Sequence, residues 1–402
     1  MSITKIPIVC VCGFLGSGKT TLLRNWRRDK TLRAAPLIVH DLSEFGLDAR
    51  TLADEGSQPV PGRLVDGIAA LHGKHAREKL FESIGITLKD IIKVAPQASL
   101  VLCESTGAAL PWSLIKALTQ DNRFYLRHFI VTVDALSLHR DFEDGKLLLN
   151  DLSQIQDIGI RKASEVLKEQ VLFSNVILLT KIDTVPQEAL DVQIKALKEI
   201  RPDVTIGLSA HAGIQLTQLD STLAPEISFL EKQADSLGLN KQGAPTANSF
   251  DAIVFRDPRP FHPNRLYQLC CNNLTTGLYR TKGFIWLASR PGQALMWQQS
   301  GSQIDLEFIG YWRAIGYWRA EIAQNRDGKL SDEEVQGLRA LLMSKDPIFG
   351  DRYNELTLIG MRDGRELFIT GLMEALCTDE EIGAWENGEE FDDPWPQTFR
   401  QT

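Results

Sequence analysis

The sequence predicts an α/β protein, in which a domain with a doubly wound, mostly parallel sheet is followed by a smaller α+β C-terminal domain. Two observations carry this. Short apolar runs recur between longer amphipathic stretches, and the first run leads straight into a glycine-rich motif. The runs are Ile6 to Cys12, Leu37 to Val39, Ser99 to Cys103, Phe129 to Val133, Val176 to Leu179 and Val204 to Leu208. Continuous apolar runs of this length suit strands buried on both faces. Trp112 to Leu118, Ile160 to Leu172 and Pro186 to Ile200 read as intervening helices, the alternation that builds a parallel sheet.

The first strand is followed by Gly13-Phe14-Leu15-Gly16-Ser17-Gly18-Lys19-Thr20, the G-x-x-x-x-G-K-[ST] pattern of a P-loop NTPase in its required context. Gly13, Gly16 and Gly18 let the backbone turn tightly and aim N–H groups inward. With the following helix N-terminus this makes an anion nest for a polyphosphate. Ser17 and Thr21 belong to the same cradle, Lys19 is expected to reach the β- and γ-phosphates, and Thr20 to offer its hydroxyl to Mg²⁺. The helix-forming stretch Thr21 to Trp26 argues against a chance match.

Three further segments narrow the nucleotide. Leu100 to Gly107 places Glu104 at the end of a buried strand, where a carboxylate holds Mg²⁺ through water and Gly107 lets the backbone approach the γ-phosphate. Thr180-Lys181-Ile182-Asp183 follows another strand and resembles the guanine-reading N-K-x-D element. Asp183 can accept from both the ring N–H and the exocyclic amine of guanine, which adenine cannot satisfy. Lys181 is expected to lie along the base, and Ser209-Ala210 to supply a backbone N–H to the guanine oxygen. Thr180 stands where an asparagine usually ties this loop to the P-loop.

With 402 residues the chain is expected to hold a GTPase domain over 1–230, a polar linker over 231–248, an α+β domain over 249–378 and an acidic tail over 379–402. The net charge of −8 argues against non-specific nucleic-acid binding, which shows as a basic excess. No apolar run reaches membrane-spanning length and the N-terminus lacks a signal pattern, so the expected location is cytoplasmic. Cys10, Cys12, Cys103, Cys270, Cys271 and Cys377 are too scattered for a disulfide framework and are read as reduced thiols. If they lie on a strand, adjacent Cys270 and Cys271 point to opposite faces, which disfavours joint chelation of a metal. The hexad Ile309 to Ala314 repeats at once as Ile315 to Ala320, which reads as a duplication in a surface element. Asn325 to Glu334 resembles half of an EF-hand loop, but Ala323 stands at its first ligand position, and a cap at Ser331 explains the same residues.

Taken together, Gly13 to Thr21, Glu104 to Gly107, Gln170 to Asp183, Asp257 to Pro263, Tyr279 to Ala288 and Gly350 to Gly360 resemble the CobW-type GTPases, over nearly the whole chain. The resemblance implies GTP hydrolysis with Mg²⁺, used to deliver zinc, cobalt or a related metal to a client metalloprotein. Homodimerisation, common in this P-loop group, is left open. It implies a switch at His40 to Asp48 in which Asp41 and Glu44 keep the family's acids, either of them a candidate for ordering the attacking water. It also implies a G-C-x-C-C metal loop, whose best match is Gly67-Ile68-Ala69-Ala70-Leu71, with apolar residues where thiolates stand in the family. Without thiolates the soft site for Zn²⁺ is lost. His72 and His75, with Glu44 or Asp41, offer a replacement His₂-carboxylate set, although solvated surface histidines explain the same pair. Arg259, Arg265, Arg280 and Lys282 offer a docking face for an acidic partner, or ordinary surface charge.

Three functions follow. The first is a GTP-hydrolysing metallochaperone, with zinc as its cargo. The second is a GTP-switched regulatory or recruitment module that carries no metal. The third, an ATP-dependent kinase on the same scaffold, is disfavoured by Asp183.

Overall fold

The computed structural model describes residues 5–14, 16–40, 67–71, 79–107, 109–149, 163–210, 213–240, 251–273, 278–300, 303–312, 346 and 348–396. The chain divides into two compact units, Met1–Phe250 and Asp251–Thr402.

In the first unit β1 (Ile6–Gly13) leads to α1 (Lys19–Trp26), α2 (Lys30–Ala34) and β2 (Leu37–His40). Then come β3 (Ile68–Leu71), α3 (Leu80–Val94), β4 (Val101–Glu104) and α4 (Pro111–Thr119). The second half holds β5 (Phe124–Asp134), α5 (Ala135–Asp141), α6 (Ala163–Phe173), β6 (Val176–Thr180), α7 (Gln187–Ile200), β7 (Thr205–Ser209) and α8 (Ile227–Ser236). The seven strands form one sheet in the order β3-β2-β4-β1-β5-β6-β7, and every neighbouring pair is parallel. The apolar runs of the sequence thus become central strands, as their burial on both faces requires.

On one face Val9, Val11, Leu37, Val39, Ile130, Val176 and Leu178 pack against Leu22, Leu23 and Trp26 of α1. The Trp26 indole donates to the Ile214 carbonyl at 2.7 Å, so this helix is pinned from below. Cys10 and Cys12 alternate with those valines and turn to the other face, and Cys103 pairs with Cys10 in register. All three thiols are buried, and burial pushes Cys12 up to about 11. The chain leaves β1 to one side for β2 to β4, and to the other for β5 to β7. The carboxyl end of β1 therefore lies where the winding reverses, the place where open α/β sheets bind ligands.

The second unit contains β8 (Asp251–Asp257), α9 (Pro263–Asn273), β9 (Leu278–Ile285), β10 (Gln293–Ser300), β11 (Gln303–Tyr311), β12 (Asn354–Gly360), α10 (Arg362–Ala375) and α11 (Asp379–Glu386). Its sheet runs β11-β10-β9-β12-β8, with antiparallel neighbours throughout. Phe261, Leu266, Trp297, Leu356, Leu358, Phe368 and Leu372 form its core. This is the α+β unit that the alternating pattern near Phe250 announced.

Several expectations are corrected here. The segment given to a linker begins inside α8, which continues to Ser236 because Leu230 and Ala234 are buried. The acidic end is not a tail over its described part. Ile382 and Trp395 are buried, and Asp393 accepts from Arg290 Nε at 2.7 Å and Ser289 Oγ at 2.6 Å. Arg290 also donates to the carbonyls of Trp395 and Pro396, at 2.9 and 3.1 Å. A buried, hydrogen-bonded ion pair and two apolar anchors hold this segment in place, while Asp379, Glu380, Glu386, Glu389 and Glu390 stay exposed. Cys270 and Cys271 lie on α9 rather than on a strand; Cys270 is buried and Cys271 exposed. The first hexad ends β11 through Tyr311. The second hexad and the EF-hand-like loop lie outside the described residues.

Glu381 supplies a pH-dependent element. Its carboxylate accepts from Arg265 Nη1 and Nη2, each at 2.6 Å, and from the Thr378 backbone N–H at 2.8 Å, completing a capping box on α11. The Arg265 hydrogen bonds lower its pKa from the ordinary 4.5 to about 2. A depressed carboxylate stabilises the fold above its unfolded pKa, and that contribution is lost as pH falls through the folded value. Glu381→Gln should therefore cost about 1 kcal/mol at pH 7, allowing for solvent screening. It should also flatten the loss of stability between pH 4.5 and 2, measured by urea unfolding at a series of pH values.

Candidate functional site

The site begins where β1 runs out. Gly13 pairs with Thr132 of β5 at φ 139°, and a Cβ there would collide with the Thr132 carbonyl and hydroxyl, so the loop leaves the sheet at the one residue type that fits. Gly16 and Gly18 take left-handed φ values of 75° and 90°, a region glycine enters at no steric cost. Gly18 caps α1 and no side chain occupies the cap, which leaves first-turn N–H groups to a ligand. Beneath the loop the Ser17 and Thr132 hydroxyls lie 2.6 Å apart and share their protons with the Phe14 and Cys12 carbonyls. Lys19 is buried, and its ammonium donates to the carbonyls of Gly13 at 2.8 Å and Phe14 at 3.0 Å. Its charge therefore sits in the mouth of the loop. Thr21, on the same first turn, is exposed.

Glu104 ends β4, in register with Val11 on one side and Val39 on the other. Only 1% of it is exposed. The Thr20 hydroxyl donates to Glu104 Oε1 at 2.5 Å, which brings together the two residues expected around Mg²⁺. Hard oxygen donors adjoining a phosphate cradle are what Mg²⁺ prefers, and the pair fits that ion. Gly107 is buried, and its carbonyl accepts from Gln170 Nε2 at 3.1 Å.

The segments expected to read the base close the other side. Thr180 lies in register with Asp134 of β5 and Ser209 of β7, which brings the ends of three strands to one edge. Thr180 Oγ1 lies 3.0 Å from the Ser17 carbonyl and 3.2 Å from the Val133 carbonyl. The threonine therefore ties this loop to the P-loop, the task for which an asparagine was expected. Lys181 takes a left-handed φ of 55° and donates to Asp134 Oδ2 at 2.6 Å. Its carbonyl accepts from Thr184 N at 3.0 Å and Thr184 Oγ1 at 2.6 Å. Asp183 is exposed on the turn Ile182–Thr184. Ser209 is buried and accepts from Gly213 N at 3.0 Å, with Ala210 beside it.

Gly13 to Thr20, Glu104, Lys181, Asp183 and Ser209 thus converge on the carboxyl edge of one sheet. Asp41, Glu44, His72 and His75 lie outside the described residues. Ile68, Ala69, Ala70 and Leu71 form β3 and are all buried, so the segment matching the metal loop serves as sheet core. Among the described residues no group of three or more His, Cys, Asp or Glu side chains is placed to hold a metal ion. In the second unit Arg259 is paired with Asp257 and Arg265 with Glu381, which removes both from the basic docking face. Thr132 and Asp134 were not singled out in the sequence, although Asp134 directly follows a buried strand and precedes a helix.

Residues 7–207 match the model of the CobW/HypB/UreG nucleotide-binding domain, and residues 250–376 that of the cobalamin synthesis protein cobW C-terminal domain. The chain is similar to a zinc-regulated GTPase metalloprotein activator 1 of Dictyostelium discoideum, at 25% identity over 94% of this chain and 81% of that protein. It is also similar to a zinc chaperone CobW of Pseudomonas aeruginosa, at 23% identity over 78% of this chain and 85% of the relative. Among solved structures it resembles the Zn(II)-bound YjiA GTPase from E. coli, at 18% identity over 93% of this chain and 99% of that one, with a TM-score of 0.37. No helix among the described residues is long and apolar enough to cross a membrane.

Proposed function

The chain belongs to the CobW/HypB/UreG family of P-loop GTPases, and from that premise we propose that it uses GTP hydrolysis to deliver a metal ion, zinc foremost, to a client metalloprotein in the cytoplasm. The observation that carries the reading is the Thr180 bridge to Ser17. It joins the guanine-reading loop to the phosphate loop, so base and triphosphate are recognised by one connected element. The names of the relatives, zinc chaperone and GTPase metalloprotein activator, support the cargo.

Each residue then has a part. Loop N–H groups and Lys19 hold the phosphates, Asp183 and Lys181 the guanine, and Ser209 and Ala210 border its oxygen edge. Thr20 and Glu104 would hold Mg²⁺, which when bound neutralises phosphate charge. Phosphoryl transfer demands little covalent chemistry of the protein, so positioning and charge placement carry most of the rate. Asp41 or Glu44 would order the attacking water. Ordering of the switch between Asp41 and Asp48 by GTP, and its release on hydrolysis, would couple the nucleotide to the client.

A second reading, a GTP-switched recruitment module without cargo, is favoured by one observation: apolar sheet residues stand at positions 68–71. One experiment tests both. Phosphate release from GTP and from ATP is measured with Mg²⁺, and zinc affinity is then measured by chelator competition with a non-hydrolysable GTP analogue and with GDP. Hydrolysis of GTP over ATP with nucleotide-dependent zinc binding supports the chaperone. Hydrolysis with no tight zinc in either state supports the switch, and ATP outcompeting GTP overturns both.

A further inference from the structure

We infer that Asp134 is a positioning residue for guanine recognition, acting through Lys181; the inference rests on the GTPase reading above. The Asp134 carboxylate is divided between two tasks. Oδ1 accepts from the Leu136 and Ser137 N–H groups at 3.0 and 3.3 Å and so caps α5. Oδ2 accepts from the Lys181 ammonium at 2.6 Å. The Asp134 side chain is only 5% exposed and that of Lys181 34%. A buried carboxylate facing a partly exposed ammonium holds that ammonium far more firmly than a surface pair does.

Lys181 needs holding. A non-glycine residue at φ 55° is held in a sparsely populated region, and such strain persists only where its surroundings fix it. Here Thr180 is bound to Ser17 on one side, Thr184 returns to the Lys181 carbonyl on the other, and Asp134 takes the ammonium. A small cavity lined in part by Phe14, Ser17 and Val133 lies beside Asp134. With the ammonium tied down, the side chain presents its methylene stem as a fixed apolar shelf for a purine face. The ordering of a long, flexible lysine is then completed in the free protein, and less of the binding energy is lost to it.

Asp134→Asn separates this role from helix capping, because asparagine caps a helix as well as aspartate does. The variant is expected to raise Kd for GTP and GDP about tenfold. KM should rise in step, with kcat changed less than about twofold. Binding of Mg²⁺-tripolyphosphate, which uses only the phosphate loop, should not change. Lys181→Met, which keeps the stem and loses the ammonium, should show the same loss, and the double variant should be no worse than either single one. GTP binding that Asp134→Asn and Lys181→Met both leave unchanged overturns the inference alone, as does an equal loss of tripolyphosphate binding. Failure of the unaltered protein to bind GTP overturns the guanine reading and this inference with it.

Discussion

Lys19→Ala is expected to lower GTP hydrolysis at least about 10²-fold, the scale seen when one preorganised charge or donor at a developing negative charge is removed. The side chain is buried and its ammonium already lies within hydrogen-bonding distance of the Gly13 and Phe14 carbonyls. The protein's own carbonyls therefore fix the charge at the loop. On the proposed reading, in which Lys19 reaches the β- and γ-phosphates, GTP should lose more affinity than GDP, and kcat should fall with kcat/KM. Lys19→Met, which preserves the buried methylene volume, separates lost charge from lost packing and should be nearly as inactive. A thermal melt within a few degrees of the unaltered protein would show that the fold survives. Retained turnover with unchanged GTP affinity would remove the phosphate loop from the mechanism.

What could be read from the sequence differs between local and distant features. The P-loop and its strand are written in consecutive residues, Ile6 to Thr20, and both strand and loop stand where the pattern placed them. Glu104 was legible for the same reason, as an acid closing a buried run. The Thr180 bridge was not. Its partner Ser17 lies 163 residues away, and no local pattern says that a shorter side chain will still reach a carbonyl. Asp134 was missed because its second partner, Lys181, is 47 residues off, and a helix cap alone explains an aspartate there.

The acidic end was misread on composition. Charge outnumbered the few residues that anchor it, and neither Arg290 facing Asp393 nor Trp395 facing Pro263 announces itself in sequence. Cys270 and Cys271 were weighed as strand residues, whereas Leu266, Leu269 and Cys270 give α9 an apolar face at helical spacing. The missing thiolates, by contrast, were legible and physically consistent. Ile68 to Leu71 are the residue types of a buried strand, and they form one.

The largest change in selectivity should come from Asp183→Asn. On the proposed reading guanine presents two donors to this position, the ring N–H and the exocyclic amine, and a carboxylate accepts both. Asparagine accepts one and offers a donor that opposes the amine, so affinity for GTP should fall about 10²-fold, given that charge-assisted hydrogen bonds contribute roughly 1.5–3 kcal/mol each. Xanthine carries an oxygen where guanine carries that amine. The new donor now meets an acceptor, and XTP should be preferred over GTP. Asp183 is exposed on a turn that Thr180 fixes to the P-loop and Thr184 fixes to Lys181, so the substitution alters pairing without loosening the loop. Competitive titration of GTP, XTP and ATP against a fluorescent GDP analogue measures the outcome. A variant that keeps its preference for GTP would mean that Asp183 does not read the base. A variant that gains ATP as readily as XTP would mean that it reads only charge.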